Sequence, residues 1–437
     1  MKNRFEEYIK KHFPQLLTSK FVIAVSGGLD STVLSHLCDE MNLDFALAHC
    51  NFNLRGEDSN ADEHFVRDLS ERLGVLFHVK SFDTQELVSS SNLSTQMAAR
   101  ELRYQWFEAL SSEFAYTHVL TAHHLDDTIE TYFINLLRGT GIEGLKGIPA
   151  RNGNILRPLL SFTRLQLQDY AHEKGIQWRE DQSNQEVKYI RNKIRHQLIP
   201  VLKEINPDFA QQFRETQQHL QGTAAMLANH IAALKKEMFR LDSGVIEVSV
   251  GALRALQPLD AYLYELFKEF QVTAWRDLKA LLDAQSGKQL ATRTHRIVRD
   301  RDRILIAPIA KEKGLFTVYQ WAEGLSELEI PLFLRANEVS SPGESTLNTI
   351  YIDKETLKFP LVVRKWKNGD YFYPDGMQGR KKLSKFFKDE KYTLFEKESQ
   401  WLLCSEDQIV WIIGKRADRR FLATPSSKEI LEIHLKI

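Results

Sequence analysis

The feature that most constrains the fold is an alternation of short apolar runs with helical patterns over roughly the first 200 residues. Four apolar runs predict strands, at residues 21–25, 44–49, 76–79 and 119–122. Helices are expected at residues 31–41, 62–73 and 126–137. This alternation predicts an α/β fold, a parallel doubly wound sheet with helices on both faces. Because ligands bind beyond the carboxyl ends of such strands, the loops after Val25, His49 and Ala122 are candidate functional loops.

The rest of the chain has a different texture. Residues 209–240 form one long helical pattern, and helices are expected up to about residue 290, before a strand at 297–306. A Ser/Pro/Gly-rich stretch at 337–345 indicates a linker or turn. Further strands are expected at 361–364, 409–413 and 430–435, around one helix near 383–388. The 437 residues fit about three domains, which we place at 1–210, 211–335 (mostly helical) and 346–437 (small, α+β).

The composition excludes several classes of protein. The apolar runs are far shorter than the roughly 18 residues of a membrane span, so no membrane partner is expected. The charged N-terminus lacks the apolar segment of a signal peptide. Cys38, Cys50 and Cys404 lie far apart, which argues against a disulfide framework and a CxxC metal or redox site. These features predict a reducing, cytoplasmic compartment.

The charges cancel overall, with 58 basic and 58 acidic residues, but they are unevenly distributed. Residues 188–203 contain five Lys or Arg and no acid, and basic residues dominate 364–391. A nucleic-acid partner is therefore compatible with zero net charge, because local clusters of charge matter more than their sum.

The first candidate loop carries Ser26, Gly27, Gly28, Leu29, Asp30 and Ser31 between a strand and a helix. Glycines let the backbone turn tightly and approach a ligand. The following helix directs free N–H groups and its positive dipole end at an anion. The serines add hydroxyl donors, and Asp30 can hold a cation that accompanies phosphates. A plain βα turn is the alternative, and the missing Gly-Lys-Ser/Thr disfavours chemistry at the β- and γ-phosphates.

The hexapeptide resembles the pyrophosphate-binding loop of the N-type ATP pyrophosphatases. The resemblance implies that ATP is cleaved between its α- and β-phosphates, with an adenylated substrate formed and pyrophosphate released. It also implies that residues 26–31 bind ATP and that Asp30 holds Mg²⁺. Amidotransferases, tRNA thiolation enzymes and tRNA(Ile)-lysidine synthetases share this loop, so other motifs must separate them.

The loop after the second strand distinguishes these families. Residues 49–57 (HCNFNLRGE) resemble the His-x-Asn-x-x-Leu-Arg signature of the lysidine synthetases. The resemblance implies nucleotide contacts for His49 and for Arg55, whose guanidinium can offer a fork to phosphate. Taken alone, Arg55 and Glu57 would also fit a surface ion pair.

A second lysidine-synthetase pattern, Ala-Arg-x-x-Arg-Tyr, lies within residues 96–107. Arg100 and Arg103 share one face of a helix with two aromatic residues at this spacing. The pattern implies a substrate-binding role for both arginines, and an amphipathic helix with a solvated edge is the alternative.

The fourth strand leads into three acids, Asp126, Asp127 and Glu130. Acids in a first helical turn favour the helix dipole, so capping is one interpretation. Beyond a strand end that faces a phosphate loop, the same acids are suited to Mg²⁺ and a cationic substrate. A zinc site using His123 and His124 is disfavoured, because adjacent histidines rarely reach one metal.

The basic stretch contains Asp-x-Ser-Asn at 181–184 and Arg-Asn-x-Ile-Arg at 191–195, a further lysidine-synthetase signature. Arg191 and Arg195 are i,i+4 neighbours, so both can stabilise a triphosphate or a tRNA backbone. An ordinary basic helix face is the alternative.

The C-terminal region resembles the corresponding domain of the same family. Lys381, Lys382 and Lys385 alternate with aromatic residues, which suits RNA backbone contacts and base stacking. A solvated helix with Phe386 and Phe387 as core anchors is compatible with the same pattern.

Together these motifs resemble the tRNA(Ile)-lysidine synthetase family over nearly the whole chain. The resemblance implies ligation of free L-lysine to C2 of the cytidine at the first anticodon position of a CAU-anticodon tRNA(Ile). ATP and Mg²⁺ are the implied cofactors, and an adenylated tRNA is the implied intermediate. The product would decode AUA in place of AUG. The oligomeric state is open, with a homodimer as one option.

The resemblance assigns roles to residues of this chain. The implied catalytic residues are Asp30, Asp127, Glu130, Arg191 and Arg195, and Asp30 and Asp127 are the implied metal ligands. The implied ATP-binding residues are those at 26–31 with His49 and Arg55. The implied substrate-binding residues are Asp126, Arg100, Arg103, Lys381, Lys382 and Lys385.

Three rival functions fit the sequence less well. A tRNA thiolase commonly needs paired cysteines, and this chain has none. A GMP synthetase would need an amidotransferase partner and a different C-terminal domain. An inactive RNA-binding protein would have no reason to keep the loop at 26–31 and the acids at 126–130.

Overall fold

The computed structural model describes residues 1–53, 56–83, 94–180, 190–309 and 318–436. Arg55 and the 181–184 motif lie outside these residues. The chain divides into two compact units, Met1–Asn229 and His230–Ile437, each of which has its own architecture. The division into three domains stays a prediction.

The first unit contains six strands and most of the helices. Its strands are β1 (Phe21–Ala24), β2 (Phe45–Asn51), β3 (Phe77–Ser81), β4 (His118–Leu120), β5 (Arg151–Asn152) and β6 (Ile155–Leu156). Its early helices are α1 (Lys2–His12), α2 (Leu29–Glu40), α3 (Glu57–Leu73), α4 (Thr95–Glu113) and α5 (Leu125–Leu137). They are followed by α6 (Ile142–Leu145), α7 (Arg164–Lys174), α8 (Ile190–Lys193), a π-helical turn (Ile194–Leu198) and α9 (Ile199–Ile205). The long helix α10 (Phe209–Met238) begins in this unit and ends in the second.

The six strands form one sheet in the order β3-β2-β1-β4-β6-β5. All pairs are parallel except β5 with β6. The predicted parallel α/β fold is confirmed. Because β2 lies on one side of β1 and β4 on the other, the strand order reverses between β1 and β4. The loops that leave β1 and β4 therefore diverge and open a crevice.

Side chains alternate across this sheet and build a core on each face. Phe21 and Ile23 of β1 pack into one buried cluster with helices α1, α2 and α7. Val22 packs into the opposite cluster, with Trp106 and Phe107 of α4. Burial of both faces explains why β1 is an uninterrupted apolar run, and it anchors the ends of β1 and α4 near the crevice.

The second unit is built from antiparallel sheets. A five-stranded sheet has the order β7-β8-β11-β10-β9, from β7 (Arg240–Asp242), β8 (Val245–Ser249), β9 (Gln289–Ala291), β10 (His295–Asp300) and β11 (Arg303–Pro308). Helices α11 (Val250–Ala255), α12 (Leu259–Phe267) and α13 (Trp275–Leu281) lie between β8 and β9 in the chain.

The remaining strands form three further sheets. The first, in the order β12-β16-β19-β20-β21, contains β12 (Tyr319–Trp321), β16 (Leu361–Lys365), β19 (Trp401–Ser405), β20 (Gln408–Ile412) and β21 (Arg416–Ala417). The second, β13-β14-β22-β15, contains β13 (Glu327–Leu328), β14 (Leu334–Val339), β15 (Thr349–Asp353) and β22 (Ile430–Leu435). The third pairs β17 (Tyr371–Phe372) with β18 (Lys381–Lys382), and it precedes α14 (Leu383–Asp389) and α15 (Leu394–Ser399).

Two local expectations about this second unit were wrong, and a third, the linker or turn, was correct only for residues 340–345. The single strand at 297–306 is a hairpin of β10 and β11 that turns at Arg301 with a positive φ. The helical region before residue 290 also contains β7 and β8, joined by Ser243 and Gly244, both with positive φ. The linker expected at 337–345 begins with the last residues of β14, because β22 pairs with that strand along its whole length.

The described residues contain no helix that is long and apolar enough to cross a membrane. Cys38 and Cys404 are buried, and Cys50 is half-buried. All three are free thiols, as the sequence predicts.

Candidate active site

A cavity of about 450 Å³ lies where the strand order reverses. Its walls come from the ends of β1, β2 and β4 and from α3 and α4. The predicted site residues that line it are Ser26, Gly28, Asp30, Ser31, His49, Arg100, Arg103 and Asp127. The phosphate loop and the arginine-bearing helix therefore face one cavity.

The loop at residues 26–31 is held in shape by its own hydroxyl groups. The backbone N–H of Ser26 donates to Ser31 Oγ at 3.2 Å, and Ser31 Oγ donates to the Gly28 carbonyl at 3.1 Å. Gly27 has a φ of +88°, where a side chain would be strained, and a Cβ there would lie 3.4 Å from Phe65. α2 starts at Leu29 with Gly28 as its N-cap, so the N-terminus of this helix lies within the loop. The loop has the geometry of an anion site.

His124 connects the phosphate loop to the acids of α5. Its side chain is 1% exposed, and its Nε2 lies 3.5 Å from both Asp30 Oδ2 and Asp127 Oδ2. Its Nδ1 lies 3.7 Å from Asp126 Oδ2. Burial disfavours the imidazolium, but the carboxylates of Asp127, Asp30 and Asp126 outweigh it and raise the pKa of His124. The imidazole of His124 thus lies within 3.7 Å of the carboxylates of three acids.

Asp127 and Asp126 also cap helices, as the alternative interpretation expects. Asp127 Oδ2 accepts from the His124 backbone N–H at 3.0 Å at the start of α5. Asp126 Oδ2 accepts from the Arg164 backbone N–H at 2.8 Å, at the start of α7, and Oδ1 accepts from Lys203 at 3.2 Å. Asp127 also lines the cavity, whereas Asp126 does not.

Glu130 is fully buried and holds both predicted arginines of the basic stretch. Arg195 contacts it through Nε at 2.6 Å and Nη2 at 3.1 Å, and Arg191 through Nε at 3.0 Å. Burial disfavours the charged guanidinium, but Glu130 outweighs it and raises the pKa of Arg195. The two arginines thus pair with one buried carboxylate, and none of the three residues lines the cavity.

The cavity wall opposite the loop combines aromatic rings with arginines. The Arg103 guanidinium lies 5.3 Å from the centre of the Phe52 ring, and the Arg100 guanidinium lies 4.8 Å from that of Tyr104. Both arginines are exposed. Flat rings beside cations suit a nucleobase and the phosphates attached to it.

Burial favours the neutral form of the two histidines that line the cavity. His49 places Nδ1 2.9 Å from the Val25 carbonyl, and burial lowers its pKa. Burial also lowers the pKa of His123, to about 4, and its Nδ1 lies 3.0 Å from Thr121 Oγ1. His123 and His124 have different partners, Thr121 for the former and the three acids for the latter.

The residues present fit Mg²⁺ better than a metal held by protein alone. The described residues contain no group of three His, Cys, Asp or Glu that could hold a metal ion. Mg²⁺ is commonly bound by one or two carboxylates together with substrate phosphates and water. Asp30 Oδ1 is buried with no hydrogen-bond partner in the described part of the chain, and Asp127 faces the same cavity. Asp30 and Asp127 are therefore suitable ligands, as proposed from the sequence.

The predicted C-terminal lysines differ from one another. Lys381 pairs with Asp389 at 2.8 Å and has a side chain that is only 16% exposed. Lys382 and Lys385 are exposed, and Phe386 and Phe387 are core residues. The interpretation of Phe386 and Phe387 as core anchors is confirmed, and the RNA contacts stay a prediction.

Some residues of these sites were missed by sequence reasoning. Arg164 Nη1 lies 3.6 Å from Asp30 Oδ2, and the Arg179 backbone N–H donates to the Gly27 carbonyl at 3.0 Å. Arg420 lies 4.2 Å from the centre of the Tyr373 ring, on the C-terminal unit. The sequence does contain a signal for the position of Arg164. Thr163 and Gln166 form a capping box, which predicts that a helix starts at Arg164.

The parallel sheet, the anion-binding loop and the facing carboxylates define an ATP-using enzyme of the PP-loop class. The family model described as a PP-loop domain matches residues 1–202. Those described as the TilS substrate binding domain and the TilS substrate C-terminal domain match residues 242–309 and 361–435.

Two curated relatives indicate which family within this class the chain resembles. The tRNA(Ile)-lysidine synthase of Parabacteroides distasonis is 37% identical over 431 residues, covering 98% of each chain. That of Bacteroides thetaiotaomicron is 36% identical over 433 residues, covering 99% of each. The chain belongs to the tRNA(Ile)-lysidine synthase family, and it is an enzyme of the ligase class.

Proposed function

We propose that this chain ligates L-lysine to C2 of the cytidine at the first anticodon position of the CAU-anticodon tRNA(Ile), at the expense of ATP. The observation that carries the proposal is the cavity that joins the phosphate loop to Asp127 and to the arginines of α4. Relatives of that name over almost the whole chain length support it. The compartment we propose is the cytoplasm.

In the first half of the reaction, the C2 carbonyl oxygen of the cytidine attacks the α-phosphorus of ATP. The bond from the α-phosphorus to the bridging oxygen breaks, and pyrophosphate leaves with the electron pair. The loop at 26–31 binds the triphosphate with its N–H groups and the positive end of α2. Bound Mg²⁺ would neutralise part of the phosphate charge, and Asp30 and Asp127 would hold it.

In the second half, the lysine ε-ammonium gives up a proton to a carboxylate or water, and its amine attacks C2. The bond from C2 to the adenylate oxygen breaks, and AMP leaves with the electron pair. Of the three acids of α5, Asp127 lines the cavity, so we assign it the contact with the lysine ammonium. Asp126 and Glu130 have closer cationic partners, Lys203 for the former and Arg191 with Arg195 for the latter, whereas Asp127 lies 3.9 Å from Arg195 Nη2. We assign Glu130 the role of positioning these two arginines, and Arg191, which is 45% exposed, that of contacting substrate.

For the tRNA, we propose a second contact on the unit His230–Ile437. Lys382 and Lys385 are exposed there. Lys382 is the cross-strand partner of Tyr371, and the Arg380 guanidinium lies 5.1 Å from the centre of the Tyr371 ring. Cations next to exposed aromatic rings suit RNA phosphates and unpaired bases.

The test is incorporation of radiolabelled lysine into transcripts of tRNA(Ile) with a CAU anticodon and of tRNA(Met). We expect ATP-dependent labelling of the first transcript, with one AMP and one pyrophosphate per lysine, and no labelling of the second. Labelling of neither transcript by folded enzyme, or a thiolated product, would contradict the proposal.

A further inference from the structure

We propose that Arg164 binds the pyrophosphate leaving group. This rests on the adenylation step proposed above and assigns a residue to one of its two products. Neither the loop signature nor the acids of α5 include this arginine, which is contributed by the start of α7.

The backbone of Arg164 is fixed at the phosphate loop. Thr163 caps α7, with its Oγ1 accepting from the Gln166 N–H at 3.3 Å. The Arg164 N–H donates to Asp126 Oδ2 at 2.8 Å, which ties the start of α7 to α5. The side chain is 42% exposed and reaches Asp30, the acid of the loop itself. The backbone of Arg164 is thus fixed, and its flexible guanidinium lies next to the anion site.

The charges around the loop explain why a cation is needed there. Residues 26–31 contain no Lys or Arg, whereas a P-loop supplies a lysine to the phosphates. Arg195 is held by Glu130 and Lys203 by Asp126, and the cavity arginines Arg100 and Arg103 lie beside the rings of Tyr104 and Phe52 on α4 and after β2. Pyrophosphate is a multiply charged anion, so a guanidinium fork close to the loop would stabilise it as it leaves.

The present partner of Arg164 is easily exchanged. Its Nη1 lies 3.6 Å from Asp30 Oδ2, beyond hydrogen-bond distance, and the pair is solvent-accessible. Asp30 is the acid that would hold Mg²⁺ together with the phosphates. When ATP is bound, its phosphate oxygens therefore lie about as close to the Arg164 guanidinium as Asp30 does now.

The test measures binding of inorganic pyrophosphate, with MgCl₂, to the full-length enzyme by titration calorimetry. AMP, which lacks the leaving group, is the second probe. The variants are Arg164→Met, which removes the charge, and Arg164→Lys, which keeps it without the fork. Arg151→Met is the matched control, because it removes an exposed arginine from the same unit.

Arg164→Met should weaken pyrophosphate binding tenfold to a hundredfold, the range for losing hydrogen bonds to a charged group. AMP binding should change less than twofold. Arg164→Lys should be intermediate, and Arg151→Met should behave like the parent. In tRNA-dependent AMP formation, kcat should fall while the KM for tRNA stays constant.

Three results would overturn the proposal. Pyrophosphate binding by Arg164→Met within twofold of the parent would remove its basis. An equal loss for AMP and pyrophosphate would assign Arg164 a role in shaping the loop only. Parent enzyme that does not bind pyrophosphate would contradict it as well. If pyrophosphate binding follows the expected pattern but lysine is not incorporated into tRNA, only the lysidine proposal is refuted. The two can be separated because neither pyrophosphate nor AMP binding requires tRNA or lysine.

Discussion

Glu130→Ala should destabilise the first unit, because it leaves two guanidinium groups without their carboxylate. Removing one partner of a buried ion pair costs about 3–5 kcal/mol. The side chains of Arg195 and Arg191 are 22% and 45% exposed, so water can solvate part of the released charge. We therefore expect a loss at the low end of this range, about 3 kcal/mol, or a factor of about 150 in the opening equilibrium.

Hydrogen-exchange mass spectrometry on peptides from α5 measures this loss in the full-length chain. It resolves the first unit from the second, whereas a global melting curve of a chain with two units has no single transition. Glu143→Gln is the control, since Glu143 forms an exposed pair with Lys146 at 2.6 Å and should cost under about 0.5 kcal/mol.

A double-mutant cycle with Arg195→Ala separates the pair from the cavity that each substitution creates. The double variant removes both charges, so its loss should be smaller than the sum of the single losses by about 2 kcal/mol. Strict additivity, or a loss below about 1 kcal/mol for Glu130→Ala, would show that Glu130 does not hold Arg195 as described.

Three further outcomes are expected. Asp30→Ala should abolish AMP formation while circular dichroism stays unchanged, and near-normal AMP formation would contradict the role of this acid in holding Mg²⁺. Asp370→Asn should destabilise the second unit by about 3 kcal/mol in urea, because Asp370 accepts two buried bonds from Arg364, at 2.9 and 3.0 Å. Lys382→Ala with Lys385→Ala should raise the KM for tRNA and reduce the salt slope of binding by about two units, without changing ATP affinity. An unchanged salt slope would make these lysines a solvated helix face.

The sequence predicted the first unit well because its signals are local. The residues of β1 and the glycines after it predict a strand and a tight turn within a few residues. Because β1 is buried on both faces, the strand is continuously apolar. The shared face of Arg100 and Arg103 followed from helical periodicity, and both line the cavity. The positions of Asp30 and Asp127 at one cavity followed from the rule that strand ends share an edge of the sheet.

Partners that are distant in the chain were not predictable in the same way. Nothing local states that Glu130 pairs with Arg195, 65 residues later, or that Asp126 caps α7. In the second unit, β7 and β9 are strands of only three residues, too short to show an alternating pattern. Their place is set by pairing with β8 and β10, which is tertiary information.

The three acids of α5 have different partners, and this explains why they occur together. Asp126 fixes the start of α7 and pairs with Lys203, Asp127 caps its own helix and faces the cavity, and Glu130 holds Arg191 and Arg195. Asp126 and Glu130 thus each bring another part of the chain to this helical turn. A phosphate loop without a lysine of its own needs a cation from elsewhere in the chain, and Asp126 fixes the helix start that carries Arg164. The acids at 126–130 therefore lie beside Arg191, Arg195 and Lys203 of the basic stretch, although some 60 residues separate the two motifs in sequence.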